Sequence, residues 1–270
     1  MKVAVMSCIH GNLAALEAVL ADIDQQRADK IFCLGDLVGY GPYPNEVVSK
    51  IRELEIPTCQ GCWDEDIIEG LNACECSYPS LLAEQRGKLA HEWTNQAVTD
   101  ETRTFLAGLP LSLRHDNLCF VHGSPHSQHE YLLSETNAFI ALERVLSTGA
   151  EVLFCGHTHI PYVRTLEQGR LQIRVVSTGA DVEQKDFSTP VRRIINAGSV
   201  GEPRHGTPQA TYVLYDTTDQ RVTLRAVDYN YRQTCQAIIE KGLPKIFAWR
   251  LAQGLEFAER AEDPTHVCER

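Results

Sequence analysis

At the start of the chain, short apolar runs alternate with segments whose apolar residues recur every three or four positions. The runs at residues 2–7, 30–34 and 58–60 predict β-strands, and the helical spacing at residues 13–25 and about 45–54 predicts two helices. Strands that alternate with helices in this way imply a parallel sheet with its functional loops at the carboxyl edge.

Later segments follow different patterns. Residues 64–108 have the spacing of helices, and the second half of the chain is richer in strands. The elements predicted there are a hairpin from residues 111–114 and 118–121, a helix at roughly 135–147, a strand at 152–155, hairpins near 168–169 and 217–220, and a helical region at about 231–260.

These elements fit one α/β domain that spans residues 1–270. We predict a two-sheet β-sandwich flanked by helices, with a core at about 1–228 and a C-terminal helical extension at about 231–260. No repeat, low-complexity tract or linker divides the chain.

Charge and composition narrow the classes of function. The formal net charge is −11 and no cluster of Lys or Arg is present, which argues against nucleic acid or an anionic membrane as a partner. No apolar run approaches the ~20 residues of a membrane-spanning helix, and the first residues lead directly into a strand rather than a signal peptide. We therefore expect a cytoplasmic protein with a small-molecule or protein substrate, and the sequence leaves its oligomeric state open.

The chain contains 10 cysteines. In a chain of this size without a secretion signal we expect them to stay reduced, and some could bind metal or do redox chemistry. Burial as small apolar residues is the simpler explanation for most of them, and it suits Cys33, Cys119 and Cys155, which lie in apolar runs.

Polar residues collect at the ends of the predicted strands. They are Cys8, His10, Asn12, Asp36, Cys62, Trp63, His122, His157, His159 and Asn196. Loops at one edge of a sheet converge, so these side chains are candidates for one site, and four histidines, one aspartate and two cysteines suit zinc or a transition metal. Each motif alone is weak: residues 59–62 also match a thioredoxin-like Cys-x-x-Cys, which fits the surrounding motifs poorly.

In this order the motifs resemble those of the calcineurin-like metallophosphoesterases: Asp-x-His, Gly-Asp, Gly-Asn-His-Asp/Glu, a single His and Gly-His-x-His. Residues 35–42, 122–125 and 196–201 are especially similar to the compact bacterial, phosphodiesterase-like branch of that family. The resemblance implies the calcineurin-like fold and two bound metal ions.

The resemblance also implies a role for each matching residue. His10, His159 and the residue at position 8 would bind the first ion, His122, His157 and the residue at position 62 would bind the second, and Asp36 would bridge both. The ions would activate a bridging hydroxide for in-line displacement at phosphorus, with no catalytic side chain beyond it. Asn12, Trp63, Asn196, Tyr40 and Arg204 would support the ligands or line the pocket, although capping roles for the two asparagines and a surface salt bridge for Arg204 explain them equally well.

Three positions depart from the family pattern. Cys8 replaces the aspartate of the first motif, Cys62 replaces the asparagine of the third, and Trp63 replaces a histidine that could protonate the leaving group. If both thiols ionise, the ligands carry three negative charges instead of two, which weakens the ions as Lewis acids and suits a higher oxidation state. Thiolates are soft ligands that favour iron or zinc over magnesium or manganese. We expect two iron ions, with zinc or manganese as the alternative metals.

Three hypotheses follow from these departures. The first is a metallophosphoesterase that hydrolyses a phosphate mono- or diester with a modified site. The second is a thiolate-ligated di-iron protein that exchanges electrons with a donor or acceptor, or acts as a sensor. The third is a degenerate, non-catalytic member, but the presence of all four histidines and Asp36 argues against it.

Overall fold

The computed structural model describes residues 1–71, 80–167, 191–255 and 267–268. The helices in these ranges are α1 (Leu13–Gln25), α2 (Pro44–Glu53), α3 (Cys62–Glu69), α4 (Leu81–Ala97), α5 (Asp100–Ala107), α6 (Ala138–Thr148), α7 (Tyr231–Glu240) and α8 (Lys245–Gln253). The strands are β1 (Lys2–Met6), β2 (Lys30–Cys33), β3 (Ser112–His115), β4 (Leu118–Val121), β5 (Val152–Cys155), β6 (Tyr162–Glu167), β7 (Val191–Asn196), β8 (Ala210–Asp216) and β9 (Arg221–Val227).

The strands form two mixed sheets. One has the order β2-β1-β8-β9, in which only β1 and β2 run parallel. The other has the order β3-β4-β5-β7-β6, with a parallel centre (β4, β5 and β7) and antiparallel edges. The predicted α/β fold of two sheets flanked by helices is confirmed, although each sheet is mixed rather than parallel.

The side chains of β1 alternate between two apolar cores, one on each face of its sheet. Val3 and Val5 face the second sheet, in a cluster where Phe32 stacks on Phe120 with ring centroids 4.2 Å apart. Ala4 and Met6 belong to the opposite cluster, which α1 and α2 cover. Because successive side chains of a strand point to opposite faces, one apolar run fills two cores.

Helix α6 covers the outer face of the second sheet. Helices α7 and α8 close a further apolar cluster against the start of α3. No helix within the described ranges has the length and apolar character needed to cross a membrane.

Some predicted elements differ in detail. Residues 58–60 do not form a strand: Thr58 makes a single bridge with Cys33, and the next N–H on that side, of Gly61, donates to the carboxylate of Asp64 instead of extending the ladder. The C-terminal helical region divides into α7 and α8, because Gly242 has a φ of +81° and Pro244 follows it. Residues 72–79, the hairpin near 168–169 and residues 256–260 lie outside the described residues, and the single-domain boundary stays a prediction.

Candidate metal centre

Seven of the side chains predicted at strand ends meet where the two sheets abut. They are Cys8 and His10 after β1, Asp36 after β2, Cys62 at the start of α3, His122 after β4, and His157 and His159 after β5. All seven are between 0% and 4% exposed. A cluster of ionisable groups this deeply buried needs compensation by hydrogen bonds, charge or metal.

The donor atoms of these side chains form two overlapping groups. The first contains Cys8, His10, Asp36 and His159, and the second contains Asp36, Cys62, His122 and His157; within each group the donor atoms lie within 4.8 Å of one another. One oxygen of Asp36, Oδ2, lies 3.5 Å from Nε2 of His10 and 3.2 Å from Nε2 of His122. Each group therefore offers one thiol, two imidazoles and a share of one carboxylate.

The first histidine pair shows why the first group fits a cation. Nδ1 of His10 lies 2.9 Å from the carbonyl of Val38, and Nδ1 of His159 lies 2.6 Å from the carbonyl of Glu202. Since a carbonyl only accepts, both Nδ1 atoms carry the proton, and the Nε2 atoms of the two neutral rings face each other with lone pairs at 3.1 Å. Burial lowers the pKa of both rings, that of His159 to about 3, so a metal ion suits the space between the lone pairs better than a proton does.

The second pair also requires positive charge. Nδ1 of His122 donates to the carbonyl of Leu34 at 2.8 Å, which leaves its Nε2 facing Nδ1 of His157 at 3.1 Å and Sγ of Cys62 at 3.6 Å. Burial disfavours a charged His122, but the adjacent carboxylate of Asp36 outweighs burial and raises its pKa. Either a proton on His122 or a metal ion therefore has to balance that carboxylate.

Burial opposes ionisation of the thiols and of the carboxylate alike, and their neighbours decide the outcome. Burial, followed by the negative charge of Asp36, raises the pKa of Cys8 and of Cys62 well above the ordinary 9.0. Burial also opposes ionisation of Asp36, but His122 and His10 more than offset it and hold its pKa far below its usual range. A metal ion reverses the balance at the thiols, because a coordinating thiol loses its proton. The backbone N–H of His157 already donates to Sγ of Cys8 at 3.3 Å.

Backbone strain is concentrated at this cluster. The φ angles are +54° at Cys8, +48° at His10, +54° at Asp36, +63° at His157 and +59° at His159. Non-glycine residues rarely adopt this left-handed region, and strain of this kind gathers at functional sites. Five of the seven donor residues therefore have a strained, left-handed backbone conformation that directs their side chains toward the cluster.

Two residues that position the donors were not among the predicted site residues. The carboxylate of Asp64 accepts backbone N–H groups from the turn that carries Asp36, including that of Asp36 itself at 2.8 Å. Asp64 is the third residue of α3, and its side chain accepts from the N–H of Gly61, the residue that precedes the helix. An acidic residue at this position is a helix-capping signal, which sequence reasoning passed over.

The second such residue is Glu202. Its carbonyl accepts from His159, and its buried carboxylate is paired with Arg204 at 3.2 Å and with Arg250. Burial works against this charge, but the two guanidinium groups, Arg250 first, hold the pKa of Glu202 well below its usual range. The pairing joins residues 48 positions apart on a loop and on α8, so no local pattern reveals it.

The two asparagines predicted near the site hold its loops. Asn12 caps α1 by accepting from the N–H of Ala15 at 3.2 Å, and its amide donates to the carbonyl of Gly201 at 2.9 Å. Asn196 donates to the carbonyl of Gly156 at 2.7 Å, next to the turn that carries His157.

The remaining predicted residues surround His10. Tyr40 meets that imidazole edge-on at 5.1 Å, and Trp63 lies 4.4 Å from Tyr40 and stacks on the buried ring of His91 at 3.7 Å. Arg204 is not in a surface salt bridge, since its side chain is 5% exposed and pairs with the buried Glu202.

A family model described as the calcineurin-like phosphoesterase superfamily domain matches residues 1–220 of the chain. An uncharacterized protein of Methanocaldococcus jannaschii is 33% identical over 258 residues, which cover 93% of this chain and 98% of that protein.

Two solved structures extend the comparison. A metallophosphoesterase from Sphaerobacter thermophilus is 35% identical, with a TM-score of 0.73 and coverage of 94% of this chain and 100% of that one. A hypothetical protein from Pyrococcus horikoshii is 22% identical, with a TM-score of 0.74 and coverage of 95% and 99%; at that identity the likeness concerns the fold alone.

Proposed function

Since the chain belongs to the calcineurin-like phosphoesterase superfamily, we propose that it is a metal-dependent phosphoesterase whose two-metal centre includes two cysteine thiolates. The observation that carries the proposal is the pair of overlapping donor groups that share Asp36. The substrate is a phosphate mono- or diester.

Each residue has a role in this proposal. Cys8, His10 and His159 would hold one ion, Cys62, His122 and His157 would hold the other, and Asp36, which belongs to both donor groups, would be shared between them. When bound, the two ions polarise a phosphoryl oxygen, lower the pKa of a water nucleophile and clamp the oxygens of an in-line displacement.

The protein's own contribution is orientation. The carbonyls of Val38, Leu34 and Glu202 fix the tautomers of three histidines, so that each presents a lone pair to the centre. The N–H of Trp63 donates to Oδ1 of Asp36 at 2.9 Å, which leaves Oδ2 for the shared position. The centre is therefore organised before substrate arrives.

Ligand number bears on the choice of metal. Four protein donors complete the tetrahedral shell that zinc prefers in closed sites, whereas an ion that accepts five or six ligands keeps room for water and substrate. Soft thiolates and this need for open positions together favour iron over zinc, and over manganese.

The indole at position 63 limits the reaction. Trp63 carries a non-ionising N–H where the family pattern has a histidine, so no proton for the leaving group comes from this position. We therefore expect esters with good leaving groups, such as aryl phosphates, to react faster than alkyl esters.

A second candidate function is redox chemistry at a di-iron centre. The observation that favours it is that each donor group contains one cysteine, which places a thiolate on both ions and stabilises a higher oxidation state. Such a centre would exchange electrons with a donor or acceptor and hydrolyse esters poorly.

One experiment separates the two. Protein purified without air or chelator is analysed for metal content and its visible absorption spectrum, and assayed with an aryl phosphate monoester and a diaryl phosphate. The phosphoesterase proposal expects hydrolysis that requires both ions and is lost in His122→Asn. Two irons per chain with a thiolate charge-transfer band but no hydrolysis would establish the redox candidate instead.

A double variant provides the matched control. Cys8→Asp with Cys62→Asn restores the family pattern at both positions and should bind two ions without the charge-transfer band. If hydrolysis appears only in this variant, the natural chain is not a phosphoesterase.

A further inference from the structure

Helices α7 and α8 form one wall of the metal centre. Thr234 on α7 donates to Oδ1 of Asn12 at 3.0 Å, and Phe247 on α8 meets the ring of Tyr40 at 5.4 Å. A cavity of about 10 Å³ separates this wall from His10, room for roughly one water molecule. What holds the wall in place therefore affects the surroundings of the metal ligands.

Two further cysteines pack in the apolar cluster that α7 and α8 form. Cys235 lies on α7, is fully buried, and its thiol donates to the carbonyl of Ala248 on α8 at 3.2 Å. Cys268, close to the end of the chain, is half-buried and packs against the same apolar cluster, near enough to raise the pKa of Cys235. Neither cysteine is bridged in this structure.

We propose that Cys235 and Cys268 are a thiol–disulfide switch that fastens the C-terminal residues to the wall of the metal centre. The oxidant is a small-molecule disulfide. The thiolate of Cys268 attacks one of its sulfurs and expels one thiol; the thiolate of Cys235 then attacks the Cys268 sulfur and expels the second. Two protein thiols lose two electrons and two protons, and one small disulfide becomes two thiols.

Exposure sets the order of these steps. Cys268 is the accessible partner, so it reacts first, and Cys235 completes the bridge from inside the fold. Burial, followed by the proximity of Cys268, raises the pKa of Cys235, which makes the second step slow. Once formed, the bridge removes conformational freedom from the unfolded chain and restrains α7 in the folded one.

The first test follows the bridge itself. Metal-loaded protein is incubated with oxidised glutathione, alkylated and digested, and the peptides are identified by mass spectrometry. We expect a Cys235–Cys268 linked peptide, loss of two alkylatable thiols, and full reversal by dithiothreitol. Cys268→Ser should abolish the linked peptide, while Cys119→Ser, at a buried cysteine outside the wall, should leave it unchanged. A stable mixed disulfide at Cys268, or pairing of either residue with another cysteine, would overturn the proposal.

The second test follows the wall. Amide hydrogen exchange in residues 231–253 should slow at least about threefold on oxidation of the natural chain and stay constant in Cys268→Ser. Unchanged exchange with a complete bridge would refute the fastening of the wall.

The effect on activity rests on the proposed function: oxidation should change the rate of aryl phosphate hydrolysis reversibly. The two failures are distinguishable. A bridge that forms in protein without hydrolytic activity in either state leaves the disulfide in place and refutes the phosphoesterase, whereas activity without a bridge refutes only the switch.

Discussion

Replacing Asp64 with asparagine tests how the turn around Asp36 is held. Its carboxylate accepts four backbone N–H groups: Oδ2 from Asp36 at 2.8 Å and Gly61 at 3.0 Å, and Oδ1 from Leu37 at 2.8 Å and Val38 at 3.4 Å. Asparagine has the same shape but only one acceptor oxygen, so its NH₂ group must face one of these two pairs of donors.

The hydrogen-bond distances show which orientation of the asparagine amide costs less free energy. With NH₂ toward Leu37 and Val38, one short and one long hydrogen bond are lost; with NH₂ toward Asp36 and Gly61, two short ones are lost. A buried donor left without an acceptor costs about 1–3 kcal/mol. We therefore expect Asp64→Asn to lower the free energy of unfolding by about 2–4 kcal/mol without creating a cavity.

The assay is urea unfolding followed by far-ultraviolet circular dichroism, with chelator present so that metal binding does not add to the measured stability. Metal-loaded protein measured in parallel should show a larger loss, because the displaced turn carries the shared carboxylate. Glu69→Gln, an exposed acid on the same helix, is the control and should change stability by less than about 0.5 kcal/mol. A change below about 1 kcal/mol in Asp64→Asn would refute the reasoning.

Three further predictions concern an ion pair, a close backbone approach and the reaction. Burial opposes the charge of Asp22, but hydrogen bonds led by Arg225 hold its pKa below 3.8. Asp22→Asn should therefore lower the free energy of unfolding by about 1 kcal/mol at neutral pH, and this difference should disappear as the pH falls through the pKa of Asp22 in the folded protein. Urea titrations at several pH values measure it. A Cβ on Gly41 would lie 2.0 Å from the carbonyl oxygen of His10. Gly41→Ala should therefore lower the free energy of unfolding, measured in urea, by about 3 kcal/mol or more and weaken metal binding. Trp63→His should raise the rate for an alkyl ester relative to an aryl ester by at least about tenfold, measured by steady-state kinetics.

Each of these has a matched control. Asp24→Asn, exposed on the same helix as Asp22, should leave stability and its pH dependence unchanged. Gly108→Ala, where a Cβ meets nothing closer than 3.4 Å, should be tolerated. Trp63→Phe removes the indole without adding an acid and should keep the ratio of the two ester rates; an equal change in Trp63→His and Trp63→Phe would contradict the role assigned to the proton.

Local patterns in the sequence predicted many of the helices and strands. The apolar run of β1 and the helical spacing of α1 are properties of consecutive residues, and both elements formed where the periodicity predicted them. Residues 58–60 show the limit of such reasoning. Their single bridge to β2 is not extended, because the next N–H on that side, of Gly61, is taken by the carboxylate of Asp64 in the first turn of α3.

The donor residues were identifiable because chemistry restricts them. Histidine, cysteine and aspartate at successive strand ends are the side chains that bind transition metals, and strand ends of one sheet converge. Their orientation was not identifiable, because it depends on carbonyls such as Leu34, Val38 and Glu202, which any residue type supplies. For the same reason no motif marked the positive φ angles that aim the donors inward.

By itself, the sequence determined the order of strands and helices, the family resemblance and the set of candidate metal-binding side chains, because each depends on residue type and short-range spacing. Only the tertiary structure decided that Asp64 supports the turn of Asp36, that Arg250 on α8 is paired with Glu202, and that Cys268 packs against the cluster that contains Cys235. These are contacts across space between residues that lie far apart in the chain, and they form only after the core has packed.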